Sequence, residues 1–364
     1  SKKPLTHFYK IDKKDGFNKS QLTALSKQTN SLKFVTELKP PEVLFSKDST
    51  LVYLYLKKKK ANSFDGLVNF STNEENKGIA LKGYLDLNLI NTFNTGEEFT
   101  IHWKNTGESR QFFKINTKLP YLFNTKVITD ATFSIYKHDS TFLNVRSALK
   151  LTIPINNKTT IGVHYNFKDS KDLQDYNDSQ NISEFNSRFI GAQLDYFSFG
   201  KNQFNIAFQT SFGNRKKTTE NTSQYRLVFS SSILLKIKKR FELFLKNNSG
   251  YLNSKNYLLN ELFRIGGPNS IRGFDQQSIF TSAYSFFNSE FRYTTEGKST
   301  IYTVFDFGTI KVLNTNQNLY SLGLGYAFKT NYNSLDISYI ANKSTETPFS
   351  FDTSKITIKI LTFF

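Results

Sequence analysis

Most of the side-chain constellations that perform covalent chemistry are missing from this chain. It has 364 residues and no Cys, which rules out thiolate nucleophiles and Cys-based zinc sites. His7, His102, His138 and His164 are scattered without ligand spacing, so no metal and no cofactor is expected. No G-x-S-x-G, Walker A or G-x-G-x-x-G run occurs, and Pro268 after Gly266-Gly267 breaks any helix start that could cradle a phosphate. An enzyme is not expected. One run stands out instead. The longest connection, Asn253 to Ser282, contains Phe263-Arg264-Ile265-Gly266-Gly267-Pro268-Asn269-Ser270-Ile271-Arg272-Gly273-Phe274. A loop left in water is not expected to carry this many apolar residues, so it is expected to pack inward. Arg272 would then enter a confined interior, where an unpaired cation is costly and needs carboxylates. Glu290, in Asn288-Ser289-Glu290-Phe291-Arg292-Tyr293, and Asp306, in Val304-Phe305-Asp306-Phe307-Gly308, alternate away from their aromatic neighbours and should face the same interior. Gly308, Gly323 and Gly325 remove side chains from that wall, leaving room for a loop backbone.

The elements that would position these groups are strands. From Ser63 onward the apolar period is two, and about sixteen strand-like segments run from Phe64–Ser71, the short first one, to Lys355–Phe364. Tyr320, Leu322, Leu324, Tyr326 and Phe328 share one face, with Ser321, Gly323, Gly325, Ala327 and Lys329 on the other. No apolar stretch approaches the ~18 residues of a membrane helix. A transmembrane barrel needs none, because alternation of apolar-out and polar-in averages to a soluble hydropathy, here −0.45. Aromatics make up 16% of the chain, with 37 Phe and 19 Tyr, as barrel outer faces and girdles require. A soluble β-sandwich or propeller would also alternate. Connection lengths separate the two. Asp169–Asn186, Asn214–Ser223, Asn253–Ser282 and Lys343–Ser354 are long and all follow odd-numbered strands, whereas Lys238–Lys239 and Thr330–Tyr332 follow even ones. Long loops on one rim and short turns on the other belong to a barrel. Closure pairs the first segment with the last, placing Val68 near Ile358 and Ile360, because hydrocarbon tolerates no open edge.

The first sixty residues differ. Ser20 to Val35 reads as an amphipathic helix on Leu22, Leu25, Leu32 and Val35, followed by strands at Glu42–Phe45 and Leu51–Leu56. Such a unit is too small to stand alone and reads as the end of a larger domain. The division expected is 1–61 and 62–364. With no Met and no signal peptide at the start, a mature or truncated N-terminus is inferred. The net charge of +18 suggests nucleic acid, but its spread along strands and turns argues against such a partner. The one dense run, Lys57-Lys58-Lys59-Lys60, reads as a solvated cluster or a contact to anionic headgroups.

The loop run Gly266–Phe274 resembles the sixth-loop signature of the BamA/TamA outer-membrane assembly superfamily, centred on Val/Ile-Arg-Gly-Phe/Tyr. Glu290-Phe291-Arg292 resembles that family's twelfth-strand motif, and Phe305-Asp306-Phe307-Gly308 its thirteenth-strand motif. The helix–strand–strand unit resembles the end of a periplasmic POTRA domain. The terminal Phe364 is similar to the aromatic of a β-signal, by which barrels are recognised for insertion. The resemblance implies an all-β, sixteen-stranded antiparallel transmembrane barrel with a partial α+β POTRA-like domain, in a Gram-negative outer membrane. It implies that Arg272, with Gly266, Gly267, Ile271, Gly273 and Phe274, latches onto Glu290 and Asp306. It further implies lipids, unfolded outer-membrane or secreted clients and accessory lipoproteins as partners, with clients pairing at an opening first–last seam. A two-partner-type secretion pore and the barrel anchor of a surface or secreted enzyme remain alternatives.

Overall fold

The computed structural model describes residues 22–23, 25–26, 29, 32–47, 50–73, 78–105, 110–174, 181–198, 202–218, 220–297, 299–312, 315–330, 332–345, 347–349 and 354–364. Twenty strands are formed: β1 Val35–Phe45, β2 Thr50–Lys58, β3 Ser63–Asn73, β4 Gly78–Ile90, β5 Glu98–Asn105, β6 Arg110–Leu119, β7 Ile128–His138, β8 Phe142–Pro154, β9 Thr159–Asp172, β10 Phe185–Ser198, β11 Gln203–Lys216, β12 Asn221–Lys238, β13 Phe241–Asn253, β14 Phe263–Ile265, β15 Ile279–Thr281, β16 Ala283–Thr294, β17 Ser299–Val312, β18 Thr315–Lys329, β19 Asn333–Ser344 and β20 Lys355–Phe363. Sixteen of them, β3 to β13 and β16 to β20, close into one antiparallel barrel in sequence order.

Alternation sets the barrel's two faces. Leu322 and Leu324 are 57% and 63% exposed on the outer wall, while the preceding Ser321, on the lumen face, is 1% exposed. Ile190, Phe212, Ile356 and Ile358 stand outward in the same way. Such a row of exposed apolar side chains on the outer wall is the pattern of a barrel whose outer face is turned to hydrocarbon. The compact interior lies on one side of the lumen, where Ile265 and Ile271 of the long loop pack with Phe286, Ile310 and Leu319 of the wall.

Several strands run past the ends that periodicity marks. β9 continues through Asp169-Ser170-Lys171-Asp172, β11 through Asn214-Arg215-Lys216, and β12 begins at Asn221. These extensions are polar on both faces, so they carry no alternation to read, yet Asn186 to Lys216 and Lys216 to Asn221 remain paired. The long loop expected at 214–223 is therefore a short turn, closed by the Lys217 amide donating to Glu220 at 2.8 Å.

Before the barrel, Leu22, Thr23, Leu25, Ser26 and Thr29 are helical, with Leu25 and Thr29 buried. The helix does not reach Val35, which opens β1. β1 is longer than Glu42–Phe45 because its register shifts at Glu37–Lys39 and Lys39–Glu42, around Pro40-Pro41, hide its alternation. The Ser26 hydroxyl donates to the Glu37 carboxylate at 2.5 Å, joining helix to hairpin. Lys60 of the basic run lies 4.4 Å over the Tyr332 ring, beside the barrel rim.

Candidate functional site: a charged loop anchor in the barrel lumen

The connection between β13 and β16 folds inward. A backbone turn shapes it first. Gly266 has φ +104° and Gly273 φ +83°, and a Cβ on Gly266 would fall 2.4 Å from the Asp275 carbonyl, so a side chain there would be both strained and blocked. The Gly267 amide donates to Ile271 O at 3.2 Å, and the Gly266 amide to Ser270 Oγ at 3.1 Å. This turn delivers Ile271, fully buried, against the wall. Gly308 lets it in, since a Cβ there would stand 3.1 Å from Ile271 Cδ1. Phe274 packs at the edge of the same cluster.

Arg272 follows and meets both expected carboxylates. Its Nε and Nη2 donate to the two oxygens of Asp306 at 2.9 and 2.5 Å, a bidentate fork. Nη1 donates to Glu290 at 2.5 Å. Asp306 is completely buried and accepts the Arg272 amide as well, at 2.9 Å. Glu290 shares its second oxygen with Arg292 at 2.6 Å. The loop backbone is also held: Ser321 Oγ donates to Arg272 O, Asn342 Nδ2 to Gly273 O at 2.7 Å and Asn288 Nδ2 to Ser270 O at 2.9 Å. Strands β16 to β19 thus all grip this segment.

Two of the wall glycines serve another purpose than expected. A Cβ on Gly325 would stand 2.1 Å from the Tyr302 ring, and one on Gly323 2.9 Å from Ile340 Cα. Their space is taken by neighbouring strands, not by the loop. Tyr302 uses it to reach Asp336 at 2.6 Å.

A second anchor lies across the lumen and gave no motif. Arg215 of β11, fully buried, donates to Glu261 at 2.6 Å. Gln224 donates to the other Glu261 oxygen at 2.8 Å. Beside it, Asn260 Nδ2 donates to Ser170 Oγ at 2.7 Å, and its carbonyl accepts from Lys168 at 2.6 Å. Glu261, set among Leu258, Leu259 and Leu262, could have been found by the reasoning applied to Arg272. Arg215, in a polar strand extension, could not. The loop reaches a third side through Gln276, which accepts from Lys104 at 2.5 Å and from Arg110 at 3.3 Å.

The seam is short. Among the described residues β20 and β3 pair only at Thr362–Phe64 and Phe363–Ser63, against eleven pairs between β3 and β4 and eight between β19 and β20. β3 itself is eleven residues long, so the pairing is short and the strand is not. Val68 pairs with Gly83, Ile358 with Ile337 and Ile360 with Leu335, all away from the seam. Phe364, about half exposed, donates its amide to Asn62 O at 3.1 Å.

A closed sixteen-stranded antiparallel barrel with an apolar outer wall and an inward loop defines a transmembrane β-barrel of the outer membrane. Residues 108–329 match the family described as haemolysin secretion/activation protein ShlB/FhaC/HecB, and the chain belongs to that family. It falls within the outer-membrane assembly superfamily that the loop motif resembles, and its place is the outer membrane of a Gram-negative bacterium. No curated protein matches it by sequence. Its fold is similar to that of CdiB from Acinetobacter baumannii, at 14% identity and a TM-score of 0.65 over 100% of this chain and 72% of that one. CdiB from Escherichia coli gives 14% identity and 0.64, over 100% and 74%. BamA from Haemophilus ducreyi lacking POTRA domains 1–3 gives 12% and 0.55, over 99% and 81%. At such identities the likeness concerns the fold. The family makes this an outer-membrane pore of the insertion or secretion type.

Proposed function

We propose that this chain is a two-partner-type secretion pore that passes an unfolded polypeptide through its lumen. The carrying observation is how the loop at 253–282 is held. It crosses the lumen, and beyond one small apolar cluster around Ile265 and Ile271 its anchors are ion pairs and hydrogen bonds, which polar groups of an entering chain can replace one at a time. The family description of haemolysin secretion supports the same reading. Arg272 with Asp306 and Glu290 is the latch, and Gly266, Gly267, Ile271, Gly273, Phe274 and Gly308 give it its shape. Residues 1–61 are the end of a POTRA-like periplasmic module, whose β1–β2 hairpin offers an edge for strand addition by a client. Residues 62–364 are the barrel. Outer-membrane lipids and accessory lipoproteins are its other partners, Phe364 is its insertion signal, and no covalent step takes place.

The two-pair seam favours a second reading, an insertase that opens laterally between β3 and β20 and templates client strands there. Deleting the gene separates the two. Loss of a secreted protein from the medium, with the outer-membrane proteome intact, is the result expected of the pore. Depletion of other barrels from the membrane would overturn it in favour of the insertase.

A further inference from the structure

The latch neutralises its charges. The opposite wall does not. Arg146 of β8 and Lys168 of β9 stand directly opposite each other in register, an arrangement in which like charges destabilise a sheet. Arg226 of β12 and Arg264 of β14 join them, and Arg146, Arg226 and Arg264 all act electrostatically on Lys168. Arg264 acts on Arg226, and both share Arg146 as a neighbour. Four cations from three wall strands and the loop thus face one volume. Among the described residues the carboxylate acting on Lys168 and Arg226 is Glu261, and Glu261 is already bound to the fully buried Arg215.

The partners these cations do have are neutral. Arg146 donates to Asn166 Oδ1 at 2.7 Å, and Lys168 to Asn260 O. Arg226 lies 4.2 Å over the Phe263 ring and Arg264 3.5 Å over the Tyr136 ring. Nη1 of Arg264 is shut off from solvent and makes no hydrogen bond, a cost that an acceptor oxygen from a bound ligand would remove. Arg146 is exposed on the lumen face, which leaves the volume open to entry from lumen water.

We propose that Arg146, Lys168, Arg226 and Arg264 form a binding site for a small multivalent oxyanion of phosphate type, which ties the loop to the β8–β9–β12 wall opposite its Arg272 anchor. Planar guanidinium forks and an ammonium suit a tetrahedral oxyanion with several acceptor oxygens better than a halide. The ligand replaces the missing carboxylates, and its departure leaves four like charges that push Arg264, and the loop with it, off the wall. The site does not depend on which cargo the pore handles.

The test uses the full chain folded in detergent micelles, titrated with inorganic phosphate against chloride at equal ionic strength. Saturable phosphate binding is expected, weakened about tenfold or more in Arg264→Gln. Phosphate should also raise the unfolding temperature of the wild type and leave Arg264→Gln unmoved. In chloride alone the variant should unfold no earlier than the wild type, because lost stacking is offset by relieved repulsion. A purely structural arginine would give a variant that is weaker in both anions, and that result overturns the proposal. So does the absence of phosphate binding above chloride in the wild type, a measurement that requires no variant to fold. Saturable binding of short polyglutamate without binding of phosphate would assign the cluster to acidic polypeptide and equally overturn it.

Discussion

Replacing Arg272 by Ala removes the cation from two carboxylates at once. Arg272 and Glu290 side chains are each 11% exposed and Asp306 0%, so solvent screens the loss very little. Removing one partner of a buried pair costs about 3–5 kcal/mol, mostly because the other charge is left uncompensated. Here part of the charge keeps a partner: Glu290 retains Arg292 at 2.6 Å, and Asp306 retains the amide of residue 272. The lower end applies, about 3 kcal/mol, which shifts the docked-to-free ratio of the loop about 100-fold. Arg272→Lys keeps the charge but not the fork and should cost less. Glu290→Gln should cost least, since the fork to Asp306 survives. Limited proteolysis within 253–282 reads the docked fraction, and conductance in planar bilayers reads the open lumen. Both should rise in the order Glu290→Gln, Arg272→Lys, Arg272→Ala, with heat-modifiable gel mobility showing that the barrel has folded. A folded Arg272→Ala barrel with wild-type protection and conductance would refute the latch. So would an equal effect of Glu290→Gln, which would mean that Asp306 is not the principal partner.

Glu261→Ala leaves the fully buried Arg215 without its carboxylate and should free the other end of the loop at a similar cost of about 3 kcal/mol, seen as new cleavage near 258–262. Leu322→Arg or Leu324→Arg should weaken insertion into bilayers by roughly 2–4 kcal/mol, and Ser230→Arg on the lumen face by far less; equal losses would place the outer face wrongly. A cysteine pair at the paired positions Phe64 and Thr362 should oxidise readily, as paired Cα atoms fall within the ~7 Å limit, and no native Cys interferes. The oxidised pore should still secrete; if oxidation abolishes transport, the seam opens and the lateral reading takes over.

Period-two alternation determined the sixteen strands, their order and their outward faces, because bilayer and lumen impose opposite demands on successive residues. It also placed Glu290 and Asp306 inward, as each breaks a run of aromatics on the opposite phase. Alternation failed wherever both faces are wet. The extensions of β9, β11 and β12 were unreadable for that reason, and Arg215 went unseen with them. The doubled proline did the same to β1, since a bulge shifts the phase that reveals a strand. The use of Gly323 and Gly325 could not be read at all: a glycine marks missing volume, and only the packed barrel decides whether a loop or a neighbouring ring fills it. The brevity of the seam and the convergence of Arg146, Lys168, Arg226 and Arg264 belong to the closed barrel alone. Register between chain ends and the meeting of loop with wall are set by three-dimensional closure, which joins residues that no local period connects.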